Sequence, residues 1–429
     1  TKSYIDKEKS KIRSFIDGHF FYLDSNNHAH AAFMLHQAIE LSLKTAENLL
    51  LNNDRKSHSL RGSIGYLKPF DSRLAKLIDS EEEKKALEKI DEAYVTQILT
   101  EIGLQPSLVK KQDDADLVFL LRDEKPDAKD EAYQLQTGVG ASRKQIIATA
   151  ASRKGLLHSL QTLRQLGVAS GNGVVNFPVC TISDKPAFGW RAYMLDESRN
   201  FHGKTMVKTL LDEMARLKLN TFHWHLVDDP AWRIEIKKYP LLTSVASKGN
   251  FEHMNKFVDP AKPYDSLFVN PPAKFYTQDD IREIVKYADA RGIIIIPEIE
   301  VPGHVSASVY AYPWLGATSK RSGKGVHGDL YDVTDPKVEG FVHDVLDEIV
   351  KLFPSGIIHI GGDEANYAHW KDSKEINEFM KAKNIPTYSD LQVWAINRMS
   401  KYISSKGYRM IGWNEITGDN IRGEAHAEA

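Results

Sequence analysis

The sequence predicts a multidomain α/β protein: an α-helical bundle over residues 1–100, a small α+β domain over 101–180 and a parallel (β/α) barrel of TIM type over 185–429. Three observations lead there. From Pro186 onward, short apolar runs rich in β-branched residues alternate regularly with longer runs at helical spacing. Each apolar run ends in polar residues. Upstream, the stretch to about Leu99 contains one proline, Pro69, and reads as helix throughout.

Composition narrows the function classes. The 429 residues leave room for several domains, and a hydrophobic content of 42% is enough to build their cores. A formal net charge of -2 and a pI near 6.8 supply no polycationic field, so nucleic acid is not an expected partner. No apolar run is long enough to span a bilayer, and no charged-then-apolar leader opens the chain. Because the chain starts at Thr1 rather than methionine, an upstream export signal is compatible with it and the compartment stays open. Cys180 is the single cysteine, which rules out an intrachain disulfide or a multi-cysteine metal site.

In the first region Asn26-Asn27 and Asn52-Asn53-Asp54 break helices, and Ser80 followed by Glu81, Glu82 and Glu83 starts one. The segment Ala32 to Lys44 with His58-Ser-Leu60 resembles the HEPN family of four-helix bundles. Ribonucleases of that family carry an arginine followed four to six residues later by a histidine. Arg55 lies only three positions before His58, so a structural or interaction role is expected instead. His28, His30 and His36 form no HExxH-type metal pattern. In the second region Leu117–Leu121 and Tyr133–Thr137 read as strands and Gly155–Leu166 as a helix.

In the third region the strands are Ala192–Leu195, Thr221–Val227, Gly292–Ile299, Ile357–Ile360 and Tyr408–Gly412. Helices Lys204–Lys218, Gln278–Ala290, Lys337–Leu352 and a stretch from Ser373 to Ser405, broken near Ile385-Pro386, lie between them. Polar residues follow the strands: Asp196-Glu-Ser-Arg199, Asp228-Asp229, Glu298-Ile-Glu300-Val-Pro-Gly-His304 and Asp363-Glu364. An open doubly wound sheet uses mainly one crevice, whereas a barrel gathers every strand end on one rim. Successive polar ends therefore favour the barrel. No Gly-rich phosphate loop opens any helix, so no nucleotide cofactor is expected, and no metal site is read. The sharpest feature is Gly356-Ile-Ile-His-Ile-Gly-Gly-Asp363-Glu364, a buried strand that ends in two glycines and two adjacent carboxylic acids.

Trp190-Arg191, Leu195 to Phe201, His223-Trp-His225-Leu-Val-Asp228-Asp229, Pro297 to His304, His359 to Glu364 and Gly412-Trp413-Asn-Glu415 together resemble glycoside hydrolase family 20, the β-N-acetylhexosaminidases. The resemblance covers roughly Glu101 to Ala429. It implies an eight-stranded barrel and exo-acting release of terminal N-acetylglucosamine or N-acetylgalactosamine from β-glycosides. It also implies that Glu364 is the general acid and that Asp363 accepts the N–H of the substrate's 2-acetamido group. The acetamide oxygen then acts as nucleophile, an exception to the two-carboxylate rule of glycosidases. Arg191 corresponds in this comparison to an arginine gripping the far hydroxyls of the sugar. Asp228, Glu300 and His304 correspond to residues aligning the pair, and Trp413 to a wall of the acetamide pocket, with Glu415 beside it. Three further barrel strands of the family follow the one before Trp413, and the chain finishes at Ala429 without them. The isolated chain is accordingly expected to show little activity. Two other readings stand beside this one. In the first, Glu364 works with Glu300 or Glu415 as a covalent nucleophile across roughly 5–5.5 Å. In the second, the protein binds sugar or a partner without catalysis.

Overall fold

The computed structural model describes residues 90–109, 112–121, 130–140, 144–169, 174–248, 272–319 and 325–417. The expected N-terminal bundle, its HEPN resemblance and the histidines within it lie outside the described residues as far as residue 89. The described residues fall within one compact unit from Ile90 to Ala429.

Strand Tyr133–Val139 alternates buried and half-buried positions, so Tyr133 and Leu135 turn toward one face. It sits inside a four-stranded sheet in the order Leu117–Leu121, Gln145–Ala150, Tyr133–Val139, Thr181–Asp184, parallel in the first pair and antiparallel in the others. Helix Arg153–Leu166 covers that face, with the Ser152 hydroxyl capping its start. Gly155 permits the close approach: a Cβ there would stand 2.5 Å from the carbonyl oxygen of Ala132. Helix Glu92–Glu101 falls across the boundary expected near residue 100, and its buried face of Tyr94, Ile98 and Leu99 packs on Arg153–Leu166. Gln161 donates to the Tyr94 hydroxyl at 2.7 Å and Arg164 pairs with Glu101 at 2.6 Å, so this helix goes with the α+β region.

The larger sheet has five parallel strands: Ala192–Asp196, Thr221–His225, Ile294–Glu298, Ile357–His359 and Arg409–Ile411. They lie side by side in chain order. A doubly wound sheet would reverse direction partway, whereas consecutive addition is how a barrel wall is laid down. Among the described residues the sheet does not close, and its first and fifth strands are edges. Helices Lys204–Arg216, Gln278–Ala290, Pro336–Leu352 and Tyr388–Ser405 make the crossovers, as their apolar spacing requires. Their starts are written in the sequence: Thr277 and Asp280 form a reciprocal capping box, and Asp335 caps a helix that begins with Pro336. Two features have no counterpart in the sequence pattern. After the third strand the chain forms helix Ser306–Ala311 and the hairpin Gly316–Ser319 with Gly325–Tyr331. Among the described residues no helix is long and apolar enough to cross a membrane.

Register decides what faces what. Asp196, His225, Glu298, His359 and Ile411 stand in one row across the C-terminal ends of the five strands. Because strand side chains alternate, His223 and His225 share a face while Phe222 and Trp224 turn to the other. Trp224 is fully buried there against Tyr276 and Phe353.

Candidate active site

The loop after the fourth strand carries Asp363 and Glu364. Gly361 and Gly362 bend it, with φ of +64° and +91°, and Glu364 itself has φ +50°. His304, after the third strand, has φ +53°. Non-glycine residues at such angles are rare and cluster at functional sites. The two converge: His304 Nε2 lies 3.6 Å from an oxygen of Asp363 and 3.6 Å from one of Glu364. The Glu364 side chain is 75% exposed and that of Asp363 25%. Asp363 Oδ1 is nevertheless buried and has no hydrogen-bond partner. A buried acceptor left open is uncommon and calls for a donor from outside.

On its other nitrogen, His304 Nδ1 faces Asp228 at 3.3 Å and Asp229 at 3.2 Å. Burial alone would lower the His304 pKa, but its bonds to Asp228, Asp229 and Asp363 outweigh that and hold it protonated. Asp229 also accepts from the Ser306 hydroxyl at 2.6 Å, which fixes the chain just beyond His304. Asp228 is buried and accepts from His225 Nε2 at 2.8 Å and from Arg199 at 2.7 Å. Burial would raise its pKa, yet His225 and His304 hold it well below the usual carboxylate range.

Beneath this layer lies Glu298, 0% exposed. His223 Nε2 lies 2.8 Å and His225 Nδ1 2.6 Å from its Oε2, while His359 Nδ1 lies 2.9 Å and the Trp413 indole nitrogen 3.0 Å from its Oε1. Burial would raise the Glu298 pKa, and the three histidines reverse that and keep it ionised. His225, held between Glu298 and Asp228, is pushed up to about 10 despite its burial. Glu300 behaves oppositely. It is 1% exposed with neither carboxyl oxygen hydrogen-bonded, and burial together with the nearby Glu298 charge pushes its pKa well above the ordinary value. Gly361 makes room for it, since a Cβ at that position would lie 1.7 Å from Glu300 Oε2.

The structure gathers Asp363, Glu364, Asp228, Glu300 and His304 at one rim, with Trp413 half-buried beside His359 and His223 at ring-centroid distances of 4.9 and 5.8 Å. Glu415 sits in the short 3-10 turn Asn414–Thr417, exposed and with no hydrogen bond to another described site residue. Arg191 requires a correction. It precedes the first strand and so stands at the opposite end of the sheet, a strand of about 15 Å away from Asp196. Its guanidinium is taken up by Glu131 at 2.5 Å and by the carbonyl oxygens of Lys218 and Phe188, both at 2.7 Å, so it ties the sheet to the α+β region and cannot reach the rim. Arg199, after the same strand, is the arginine at the rim, half-exposed and paired with Asp196 and Asp228. The direction of a parallel strand carries the signal that separates them: only residues after it reach the rim. Glu298 and the histidines at 223, 225 and 359 fall within the quoted motifs without a role there, and the His-X-His alternation inside an apolar strand marks the polar face they share.

Among the described residues four groups place metal-ligand atoms within reach of one another: His223 with Glu298 and His359, His225 with Glu298 and Glu300, Asp228 with Asp229 and His304, and His304 with Asp363 and Glu364. In the first three, most of the same atoms already serve internal ion pairs.

Residues 188–428 match the family model "Glycosyl hydrolase family 20, catalytic domain", and residues 73–185 match "Glycosyl hydrolase family 20, domain 2". The chain belongs to glycosyl hydrolase family 20. Within family 20 it is similar to a beta-hexosaminidase of Porphyromonas gingivalis, 36% identical over 326 residues, which are 74% of this chain and 39% of that protein. It is also similar to a beta-hexosaminidase of Vibrio furnissii, 37% identical over 289 residues, 66% of this chain and 46% of that one. The chain thus spans about half or less of the length of these relatives. A solved family 20 exo beta-N-acetylglucosaminidase from Vibrio harveyi, in complex with N-acetylglucosamine, superposes with a TM-score of 0.64 at 30% identity, covering 78% of this chain and 51% of that one. Such neighbours imply a TIM-type catalytic barrel after a small domain, the architecture to which the five consecutive strands contribute.

Proposed function

We propose that the protein is a β-N-acetylhexosaminidase, releasing terminal N-acetylglucosamine or N-acetylgalactosamine from β-glycosides with the substrate's own acetamide as nucleophile. The observation that carries this reading is the pair Asp363 and Glu364: a buried carboxylate oxygen with no partner next to an exposed carboxyl group. Asp363 Oδ1 suits the acetamide N–H, and accepting it turns the acetamide oxygen toward the anomeric carbon. Carbon–oxygen bond formation there expels the glycosidic oxygen, which takes the proton of Glu364. The ring nitrogen of the resulting oxazolinium carries positive charge, offset by Asp363 close by. Water then opens the ring and returns its proton to Glu364. His304, protonated and 3.6 Å from both carboxyl groups, sets their mutual position.

Arg199 takes the hydroxyl-gripping role that the resemblance implies for Arg191, because it alone of the two reaches the rim. Trp413 offers a face to the acetamide methyl group. The covalent alternative is weaker on this geometry: Glu300 is buried, with burial and the nearby Glu298 charge raising its pKa, and Glu415 is not drawn into the cluster. The relatives named beta-hexosaminidase support the reaction class, and the three-region division of the chain belongs to the same proposal.

The test uses the full-length protein and its Glu364→Gln variant on two β-N-acetylglucosaminides, one with an activated aryl leaving group and one with an alkyl or sugar leaving group. The wild type hydrolyses both. The variant loses far more rate on the poorly leaving substrate, because only that oxygen needs a proton. Equal losses, or a wild type that cleaves neither, count against the assignment.

A further inference from the structure

The motif Pro297-Glu298-Ile-Glu300 carries two carboxylates, and the mechanism above uses neither Glu298 nor the three histidines around it. We propose that Glu298 is a positioning residue that sets the shape of the N-acyl pocket, acting through Trp413 on one side and through His225 and Asp228 on the other. The proposal rests on the hexosaminidase reading and deepens it.

A carboxylate has about four lone-pair positions. In Glu298 two of them are taken by hydrogen bonds, from His225 Nδ1 on the second strand to Oε2 and from the Trp413 indole just beyond the fifth to Oε1, while His223 Nε2 at 2.8 Å and His359 Nδ1 at 2.9 Å lie close beside them. At 0% exposure the carboxylate is sealed from solvent. A packed apolar residue would fill the same space without the desolvation cost of a buried charge. What an apolar residue could not do is choose an orientation for the rings.

Trp413 shows the consequence most directly. Its ring sits between solvent and the rings of His359 and His223, and its one donor is bound to Glu298 Oε1 at 3.0 Å. With the nitrogen tethered, a flip of the ring about its second side-chain torsion breaks the bond, so one face and one edge are presented to the site. The second branch runs from Glu298 through His225 at 2.6 Å to Asp228 at 2.8 Å and then to Arg199 at 2.7 Å. One buried charge therefore fixes both the wall that receives the acyl group and the arginine that receives the sugar. Glutamine in its place offers one acceptor oxygen and directs an amide N–H₂ at groups that are themselves donors. It cannot satisfy Trp413 and His225 together.

The experiment compares wild type, Glu298→Gln, Trp413→Phe and the double variant in the full-length protein. Two readouts are taken: kcat/KM on matched aryl β-glycosides bearing N-acetyl or N-propionyl groups, and the Trp413 indole N–H resonance, assigned by its loss in Trp413→Phe. In Glu298→Gln the preference for N-acetyl over N-propionyl falls by about tenfold or more, the size of a lost hydrogen bond to a charged group, and the indole resonance moves upfield. Trp413→Phe lowers the preference similarly, and the double variant adds little, since both act through one contact. Equal loss on the two substrates, an unmoved indole resonance, or full additivity in the double variant overturns the proposal. Should Glu298→Gln fail to fold, Trp413→Phe alone decides, because an unchanged acyl preference there refutes the role of the tethered indole. A wild type that hydrolyses neither glycoside refutes the hexosaminidase reading, while the indole resonance still reports whether Glu298 holds Trp413.

Discussion

Gly361→Ala probes the packing that the active site depends on. At Gly361 the φ of +64° costs an alanine about 1–2 kcal/mol, as at any left-handed position. The added Cβ would also lie 1.7 Å from Glu300 Oε2, 2.2 Å from its carboxyl carbon and 2.4 Å from Oε1, so the whole carboxyl group must move. Glu300 is enclosed and cannot swing into solvent, and overpacking of that kind costs typically about 1–3 kcal/mol. The sum is about 2–5 kcal/mol. Gly356→Ala supplies the control, because Gly356 has φ +72° and nothing within 4 Å of the place its Cβ would take. It bears the backbone cost alone. Urea unfolding of both variants, followed by circular dichroism, should place Gly361→Ala below Gly356→Ala by about 1–3 kcal/mol. Variants equal within about 0.5 kcal/mol would show that Glu300 does not press on Gly361.

Three further outcomes follow from the geometry. Arg199→Ala should raise KM for an aryl N-acetylglucosaminide by about tenfold or more with little change in thermal midpoint. Arg191→Ala should leave KM unchanged and destabilise by about 3 kcal/mol through the buried Glu131 it leaves behind, and the reverse pattern would restore Arg191 to the sugar. For Glu300, the raised native pKa means that its contribution to stability is complete below its unfolded value of 4.5 and is lost as pH rises through the folded value. His225, raised from 6.5 to about 10, acts in the same direction at higher pH. Stability should therefore decline from mildly acidic to alkaline pH, and Glu300→Gln, which cannot ionise, should flatten the lower part of that decline. An unaltered slope in urea titrations across pH would mean that Glu300 is ionised in the native state.

Much of this architecture is readable in the chain because its elements carry strong local signals. The third strand is a run of isoleucines, and helix Gln278–Ala290 has both spacing and a reciprocal cap. Strand Gln145–Ala150 is not legible in the same way, because its short apolar run stands between turn-like neighbours and gains its identity only by pairing on both sides. The hairpin strands Gly316–Ser319 and Gly325–Tyr331 carry three glycines and no apolar run, and they are defined by their pairing rather than by their pattern. Asp363, Glu364, Asp228 and His304 stand out in the sequence because they are polar residues at strand ends. Arg191 and Arg199 flank one strand at similar distance from the motif, so spacing alone cannot rank them, and strand direction separates them. Glu298 is hidden for a different reason. Its importance lies in four contacts made across the sheet, and no local pattern records which residues of neighbouring strands share its row.

Whether Asp363 receives the acetamido N–H of a substrate that supplies its own nucleophile is tested most directly by calorimetry. A thiazoline mimic of the cyclised intermediate is titrated into the full-length protein and into Asp363→Asn, so that binding is measured without turnover. The wild type should bind it strongly, more tightly than N-acetylglucosamine, and Asp363→Asn should lose at least about tenfold in affinity, because the charge that offsets the cyclised cation is gone. Equal affinity in the two proteins, or a thiazoline that binds no better than the plain sugar, would contradict that role for Asp363.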